Sequence, residues 1–335
     1  MVTLLSSVRQ ESGSGPFSTN ASFDGSSSRL PLVSVLICTY NGERFLKEQL
    51  DSIGRQTHSA WIVAVSDDGS TDSTLEILQD YREKWGEEKL TVFLGPKQGF
   101  AANFMSLTCR TEVESDFYAW ADQDDIWRDN KLQTALDWLQ TIPEDVPALY
   151  CGRTELINET SQTIGFSPLF CRPATFSNAL VQSIGGGNTM VFNHAACKLI
   201  REAGKELPIV SHDWWAYLLV TGAGGRVFYD AAPTILYRQH DDNIVGSNSS
   251  LSSRMNRLRM VFEGRFRNWN QSNICALESI DYRLSEENRS ILNSFKEART
   301  HRGVKRFLWL RRAGVYRQTF LGNFGVVLAA IFKGI

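Results

Sequence analysis

Apolar residues fall along this chain in short runs, each closed by a polar turn. Val33-Ser34-Val35-Leu36-Ile37-Cys38, Ile62-Val63-Ala64-Val65 and Phe117-Tyr118-Ala119-Trp120-Ala121 are near-continuous, as strands buried on both faces of a parallel sheet are. After the first run, Phe45, Leu46 and Leu50 recur at helical spacing. Strand, polar turn, helix, strand, acidic turn and helix open a doubly wound α/β domain. Farther on, Met190-Val191-Phe192 and Thr234-Ile235-Leu236 predict strands, and Ala216-Tyr217-Leu218-Leu219-Val220 predicts a helix. The pattern fades near the start, where Ser, Gly, Asn and Thr dominate from Ser12 to Ser28. Residues 1–30 therefore read as a disordered leader without the basic start and apolar core of an export signal. No run reaches the eighteen or so apolar residues that span a bilayer, Phe324 to Phe332 being the nearest.

The turns that close the runs carry the candidate chemistry. The first run ends in Thr39-Tyr40-Asn41-Gly42, the second in Asp67-Asp68-Gly69-Ser70-Thr71-Asp72, the third in Asp122-Gln123-Asp124-Asp125. Ligands of open parallel sheets bind at the carboxyl ends of strands, so these turns suggest one shared crevice. Carboxylates packed so closely repel one another and are tolerated when a divalent cation neutralises them. Hard oxygen donors of this kind suit Mg²⁺ or Mn²⁺ carried by a substrate phosphate. In an extended segment Asp122 and Asp124 project to the same side, so one can face a ribose or phosphate while the other holds the metal. The alternative is an acidic turn in which Asp124 or Asp125 caps the helix after it.

These motifs, with Ile126 and Trp127 completing the third, resemble the family 2 inverting glycosyltransferases of GT-A fold, most closely the rhamnosyltransferase-type members that build bacterial surface polysaccharides. The resemblance runs from about residue 31 to 245. It implies a GT-A type doubly wound, mostly parallel sheet flanked by helices, and transfer of a sugar from a nucleoside diphosphate donor, with dTDP-rhamnose in the lead. It puts Thr39, Tyr40, Asn41 and Asp68 around base and ribose, Asp122 near the ribose or diphosphate, and Asp124 on the metal. It also implies that His240, in Tyr237-Arg238-Gln239-His240, is a further metal or diphosphate contact. The general base falls at Asp213 in Ser211-His212-Asp213-Trp214-Trp215, with His212 where the family commonly has Glu.

Several of these positions keep a second reading on the residues alone. Asp213 opens a helical stretch and could serve only as a cap favoured by the helix dipole. Gly185-Gly186-Gly187 is either a sugar-facing loop or a tight turn into a strand. Lys97 stands where the family has Asn, and a solvated loop lysine is favoured over a diphosphate contact. Arg238 is a candidate partner for the diphosphate. Trp214 or Trp215 could offer a ring to a sugar, although helical aromatics more often fill a core.

The 335 residues, 42% hydrophobic, can bury one sizeable core and a smaller appendage. A net charge of −2 gives no basic field for nucleic acid. Six cysteines with no Cys-x-x-Cys pair read as reduced core residues. Charge speaks only in the tail, where Ala298 to Ile335 holds eight Lys or Arg and no Asp or Glu, interleaved with aromatics. Such a C-terminal helical basic tail reads as a membrane-interface segment, with a basic helix packed on the catalytic domain as the alternative.

The division expected is a leader over 1–30, a catalytic domain over 31–250 and a helical C-terminal region over 251–335. The expected protein is a cytoplasmic, metal-dependent inverting glycosyltransferase, peripheral on the inner face of the membrane, acting on a saccharide acceptor that is lipid-linked. A soluble or protein acceptor, or a nucleotidyltransferase that makes NDP-sugar and releases pyrophosphate, is the alternative.

Overall fold

The computed structural model describes residues 29–240 and 265–331. The leader up to residue 28, Asp241, Asp242 and most of a further basic stretch, Arg254 to Arg267, lie outside the described residues. The chain runs β1 (Val33–Thr39), α1 (Leu46–Gly54), β2 (Trp61–Asp67), α2 (Thr74–Trp85), β3 (Leu90–Leu94), α3 (Phe100–Thr108), β4 (Phe117–Ala121), β5 (Ile126–Trp127) and α4 (Lys131–Leu139). It continues through β6 (Ala148–Gly152), β7 (Glu155–Ile157), β8 (Thr163–Phe166), α5 (Phe176–Ala179), β9 (Val191–Asn193), α6 (His194–Ala203), α7 (His212–Gly222), β10 (Arg226–Asp230) and β11 (Ile235–Arg238). Helices Arg265–Ser279, Glu286–Thr300, Gly303–Ala313 and Phe320–Ile331 complete it.

The central sheet has seven strands in the order β10-β6-β9-β4-β1-β2-β3. All its pairs are parallel except those of β9, which runs antiparallel to both β4 and β6. Strand β1 lies between β2 and β4, with Thr39 opposite Asp67 and Ile37 opposite Ala121, so the polar turns after these three strands meet at one edge. The reversal of β9 brings its leading loop to the same edge: Ala119 faces Val191, and Trp120 N–H donates to Met190 O at 3.1 Å. Asn193 pins the far end of β9, its Oδ1 accepting from Ala148 N–H and Ala196 N–H.

Alternation along the strands sends side chains to two cores. Val33, Val35 and Ile37 pack with Leu46, Leu50, Leu78 and Leu132 on one face. Leu36, Trp120 and Phe192 pack on the other with Phe104, Ile200, Leu218 and the C-terminal residues Phe266, Leu292, Phe295, Leu310 and Val326. The tail thus contributes to the core of the catalytic fold. Between its last two helices, Gln318 N–H donates to Gln182 Oε1 (2.8 Å), and Asn178 Nδ2 donates to Tyr316 O (2.8 Å). A second, four-stranded sheet, β5-β11-β7-β8, stands beside the acidic turn after β4. Its strands are two to four residues long, too short to show a period in the sequence.

One expectation is corrected, and the two tryptophans follow the core reading. Cys171 and Cys275 are exposed, while Cys151 and Cys197 are buried; all six cysteines are free. Trp214 and Trp215 belong to the core, and Trp214 Nε1 donates to Ala179 O at 2.7 Å, so neither presents a ring face to a sugar.

Candidate active site

The turn after β2 is built on its own hydrogen bonds. Asp67, buried, accepts from Gly69 N–H (3.0 Å), Ser70 N–H (2.8 Å) and the Thr39 hydroxyl (2.8 Å). Asp68 accepts from Lys97 N–H (2.6 Å) and Gly99 N–H (3.1 Å), and so holds the loop that leads into α3. Lys97 sits there at φ 58°, in the left-handed region that a residue such as Asn adopts more readily. Asn41, also left-handed at φ 48°, accepts from Thr71 N–H (2.9 Å) and so joins the β1 turn to the β2 turn. Tyr40 is 60% exposed at the crevice, whereas Thr39 is buried with its hydroxyl directed at Asp67.

The turn after β4 is different. Residues 122–125 form a turn rather than an extended segment, and this brings a third carboxylate, Asp125, to the pair expected from the sequence. Oxygens of Asp122, Asp124 and Asp125 lie within 4.8 Å of one another. Gln123 ties this turn to the first by clasping Tyr40, accepting from its N–H (2.9 Å) and donating to its carbonyl (3.0 Å). A Cβ on Gly42 would lie 2.4 Å from Gln123 Oε1, so a side chain there would displace the amide from Tyr40.

Burial, with Asp124 and Asp213 nearby, pushes the Asp122 carboxyl up to about 8. Asp125, fully buried, is raised by burial and by Asp124 and Asp122, against bonds from Asn188 Nδ2 (2.6 Å) and Arg238 N–H (3.2 Å). His240 Nε2 lies 2.8 Å from Asp124 Oδ2. Carboxylate oxygens crowded beside an imidazole nitrogen fit a hard divalent cation such as Mg²⁺ or Mn²⁺.

Arg238 does not face this crevice. Its guanidinium is wholly buried: Nε donates to Asp124 O (2.9 Å), Nη1 to Glu159 O (3.1 Å) and Ser161 Oγ (3.0 Å), and Nη2 to Glu48 Oε2 (2.7 Å). The diphosphate role expected for it is corrected to a clamp on the backbone of the acidic turn. Sequence reasoning missed this, together with Asp125, Gln123 and Asn188. The only available signal was the repeated carboxylate in Asp124-Asp125.

Asp213 lies in the first turn of α7, where Ser211 takes the capping position without a side-chain bond. It accepts from Trp214 N–H at 2.7 Å and stands near enough to raise both Asp122 and Cys151. His212 beside it is buried, stacked on Phe104 (centroids 4.0 Å) and edge-on to Trp120 (4.7 Å). Burial pulls its pKa down to about 4, so it is a neutral packing residue. Its ring leaves no room for a side chain at Gly187, whose Cβ would lie 2.2 Å from His212 Nε2. Of the three glycines, then, Gly187 is a packing requirement. The loop it opens delivers Asn188 to Asp125. The residues brought to one edge are therefore Tyr40, Asn41, Asp68, Asp122, Asp124, Asp213 and His240, with Thr39 beneath them.

The seven-stranded mixed sheet with an acidic turn at its centre has the GT-A fold, and comparison supports that architecture. S. aureus TarS residues 1–349, solved in complex with UDP-GlcNAc, has the same fold, with TM-score 0.50 at 16% identity over 85% of this chain and 92% of that one. Residues 34–202 match Glycosyl transferase family 2, and the chain belongs to that family. Among its relatives is a dTDP-rhamnosyl transferase, RfbG of Shigella flexneri, 29% identical over 238 residues, 67% of this chain and 78% of that protein. Another is the Escherichia coli UDP-Glc:alpha-D-GlcNAc-diphosphoundecaprenol beta-1,3-glucosyltransferase WfgD, 28% identical over 131 residues, 39% of this chain and 48% of that protein.

Proposed function

We propose that this glycosyltransferase moves rhamnose from dTDP-rhamnose, with inversion and in the presence of Mg²⁺ or Mn²⁺, to a lipid-linked saccharide in the synthesis of a bacterial surface polysaccharide. The observation that carries the reading is that Asp213 lies close enough to raise the Asp122 carboxyl, beside the Asp124–His240 pair. Asp122 and Asp124 with His240 hold the donor diphosphate side, and Tyr40, Asn41 and Asp68 border the nucleoside. When bound, the cation supplies the positive charge that stabilises a departing diphosphate. Asp213 accepts the proton of the acceptor hydroxyl. That oxygen forms its bond to the anomeric carbon as the bond to the diphosphate breaks on the opposite face, and nucleoside diphosphate leaves. A nucleotidyltransferase has no need of a carboxylate at Asp213.

The donor assignment rests on the likeness to RfbG, and the lipid-linked acceptor on the likeness to WfgD. Peripheral attachment to the inner face of the membrane is supported by the acid-free tail and by its exposed apolar residues Val304, Leu308, Phe320, Leu321 and Phe324. Among the described residues no helix is long and apolar enough to cross a membrane.

The test is a panel of nucleoside diphosphate sugars incubated with purified protein and Mn²⁺ or Mg²⁺, with products resolved by chromatography. Release of dTDP from dTDP-rhamnose above the other donors is expected. Release of pyrophosphate, or turnover confined to another donor, would overturn the reading.

A further inference from the structure

Away from the crevice, a cavity of about 470 Å³ lies between helices Arg265–Ser279, Glu286–Thr300 and Gly303–Ala313. Five cations line it, Arg267, Lys296, Arg299, Arg302 and Arg306, against one carboxylate, Glu278, which pairs with Lys296. Among the described residues no carboxylate forms an ion pair with the four arginines. They also crowd one another: burial, with Arg267 nearby, pulls Arg299 below its ordinary value, and burial, with Arg302 and Arg267, does the same to Arg306. Arg299 Nη2 donates to Arg267 O (3.3 Å) and Gln271 Oε1 (2.8 Å), while its Nη1 is buried without a partner. A shielded guanidinium nitrogen left over in a basic cavity is a place for an anion, and arginine forks suit phosphate oxygens.

The surroundings narrow the kind of anion. Arg306 Nη1 donates to Ala330 O, which brings the end of the helix Phe320–Ile331 against the cavity wall. Ile331, next in sequence, is 55% exposed, and Val304, two residues from Arg302, is 75% exposed. A phosphate held here has apolar side chains at hand for acyl chains, which a free phosphate does not need. We infer that this cavity binds the phosphate headgroup of an anionic lipid and gives the tail a defined lipid site in place of diffuse attraction. This rests on the membrane attachment proposed above and names the residues responsible for it.

The test is flotation of the full chain with phosphatidylcholine vesicles, with and without phosphatidylglycerol. It compares the wild type with Arg267→Gln/Arg302→Gln in the cavity and with Lys305→Gln/Arg311→Gln on the same tail. All four positions are exposed, so each pair removes equal charge with little effect on folding, which circular dichroism checks. The wild type should float only with phosphatidylglycerol, and the cavity pair should lose at least about tenfold more affinity than the control pair. Equal losses would overturn the cavity and leave membrane attachment standing. A wild type that floats with neither vesicle would overturn both. Calorimetry with inorganic phosphate separates the sources: phosphate binding that the cavity pair abolishes, without flotation of the wild type, would make this a free-anion site and overturn the lipid assignment.

Discussion

Two acidic turns flank the end of β1, and they have opposite uses. In the turn after β2, Asp67 and Asp68 are each met by backbone donors: Asp67 takes Gly69 and Ser70 within the turn, with the Thr39 hydroxyl of β1, and Asp68 takes Lys97 and Gly99 of the loop before α3. In the turn after β4, the carboxylates of Asp122, Asp124 and Asp125 face one another, and the donors that do arrive come from distant parts of the chain, Asn188 and Arg238 to Asp125 and His240 to Asp124. The same residue type at the same strand end holds backbone in one case and, in the function proposed above, a cation in the other. What differs is what each carboxylate meets: backbone N–H groups hold Asp67 and Asp68, whereas Asp124 meets the imidazole of His240 beside two other carboxylates.

The sharpest break in that comparison is Asp124→Asn. Metal-dependent binding of the nucleotide should fall by well over the roughly 10- to 100-fold that even an outer-shell partner of a metal contributes, while the melting temperature holds or rises as repulsion is relieved. Calorimetry of dTDP with and without Mn²⁺ reads this; unchanged affinity in the mutant would return the turn to a structural role.

Asp213→Asn comes next. Transfer should slow by about 10²- to 10⁴-fold, the usual worth of a placed general base, with donor and metal affinity near normal. A mutant that melts earlier yet turns over at the wild-type rate would make Asp213 a helix-end residue only.

The turn after β2 should answer in the other currency. Asp67→Asn weakens bonds to a buried carboxylate and should lower stability by about 1 to 3 kcal/mol, read as an earlier urea midpoint with no change in metal dependence of the remaining activity. Smaller again is the response to pH. Asp122 is raised to about 8 with no cation bound, and a cation requires it ionised, so Mn²⁺ affinity should climb as pH rises from 6.5 to 8.5. One proton released per ion bound sets a limit of about tenfold per pH unit. Affinity that stays flat over that window would mean Asp122 is already charged.

How much of this the sequence discloses tracks the same divide. The strands β1, β2 and β4 are legible because an apolar run between polar turns has few other uses, and with them the meeting of their turns. The antiparallel course of β9 is not, since Val191 to Asn193 reads alike in either direction. Asp125 escaped because an extended chain would point it away from Asp122 and Asp124, and only the turn geometry folds it back. Arg238 stands in a motif full of polar residues and invites a ligand role. Its true partner Glu48 is 190 residues away in sequence, a contact that no local pattern carries. In the tail, the basic and aromatic pattern is plain, but not that one face of it joins the core through Leu310 and Val326 while Val304 and Leu308 stay outside.

The Arg238 clamp also fixes an order of events at the ribosome. Strands β1 to β4, with Asp122, Asp124 and Asp125, are made and can pair long before Arg238 emerges to grip the carbonyl of Asp124 and the side chain of Glu48. His240 comes two residues later, so the clamp and the imidazole beside Asp124 arrive together. A nascent chain halted between Asp125 and Arg238 carries the whole acidic motif and still lacks the clamp that holds it.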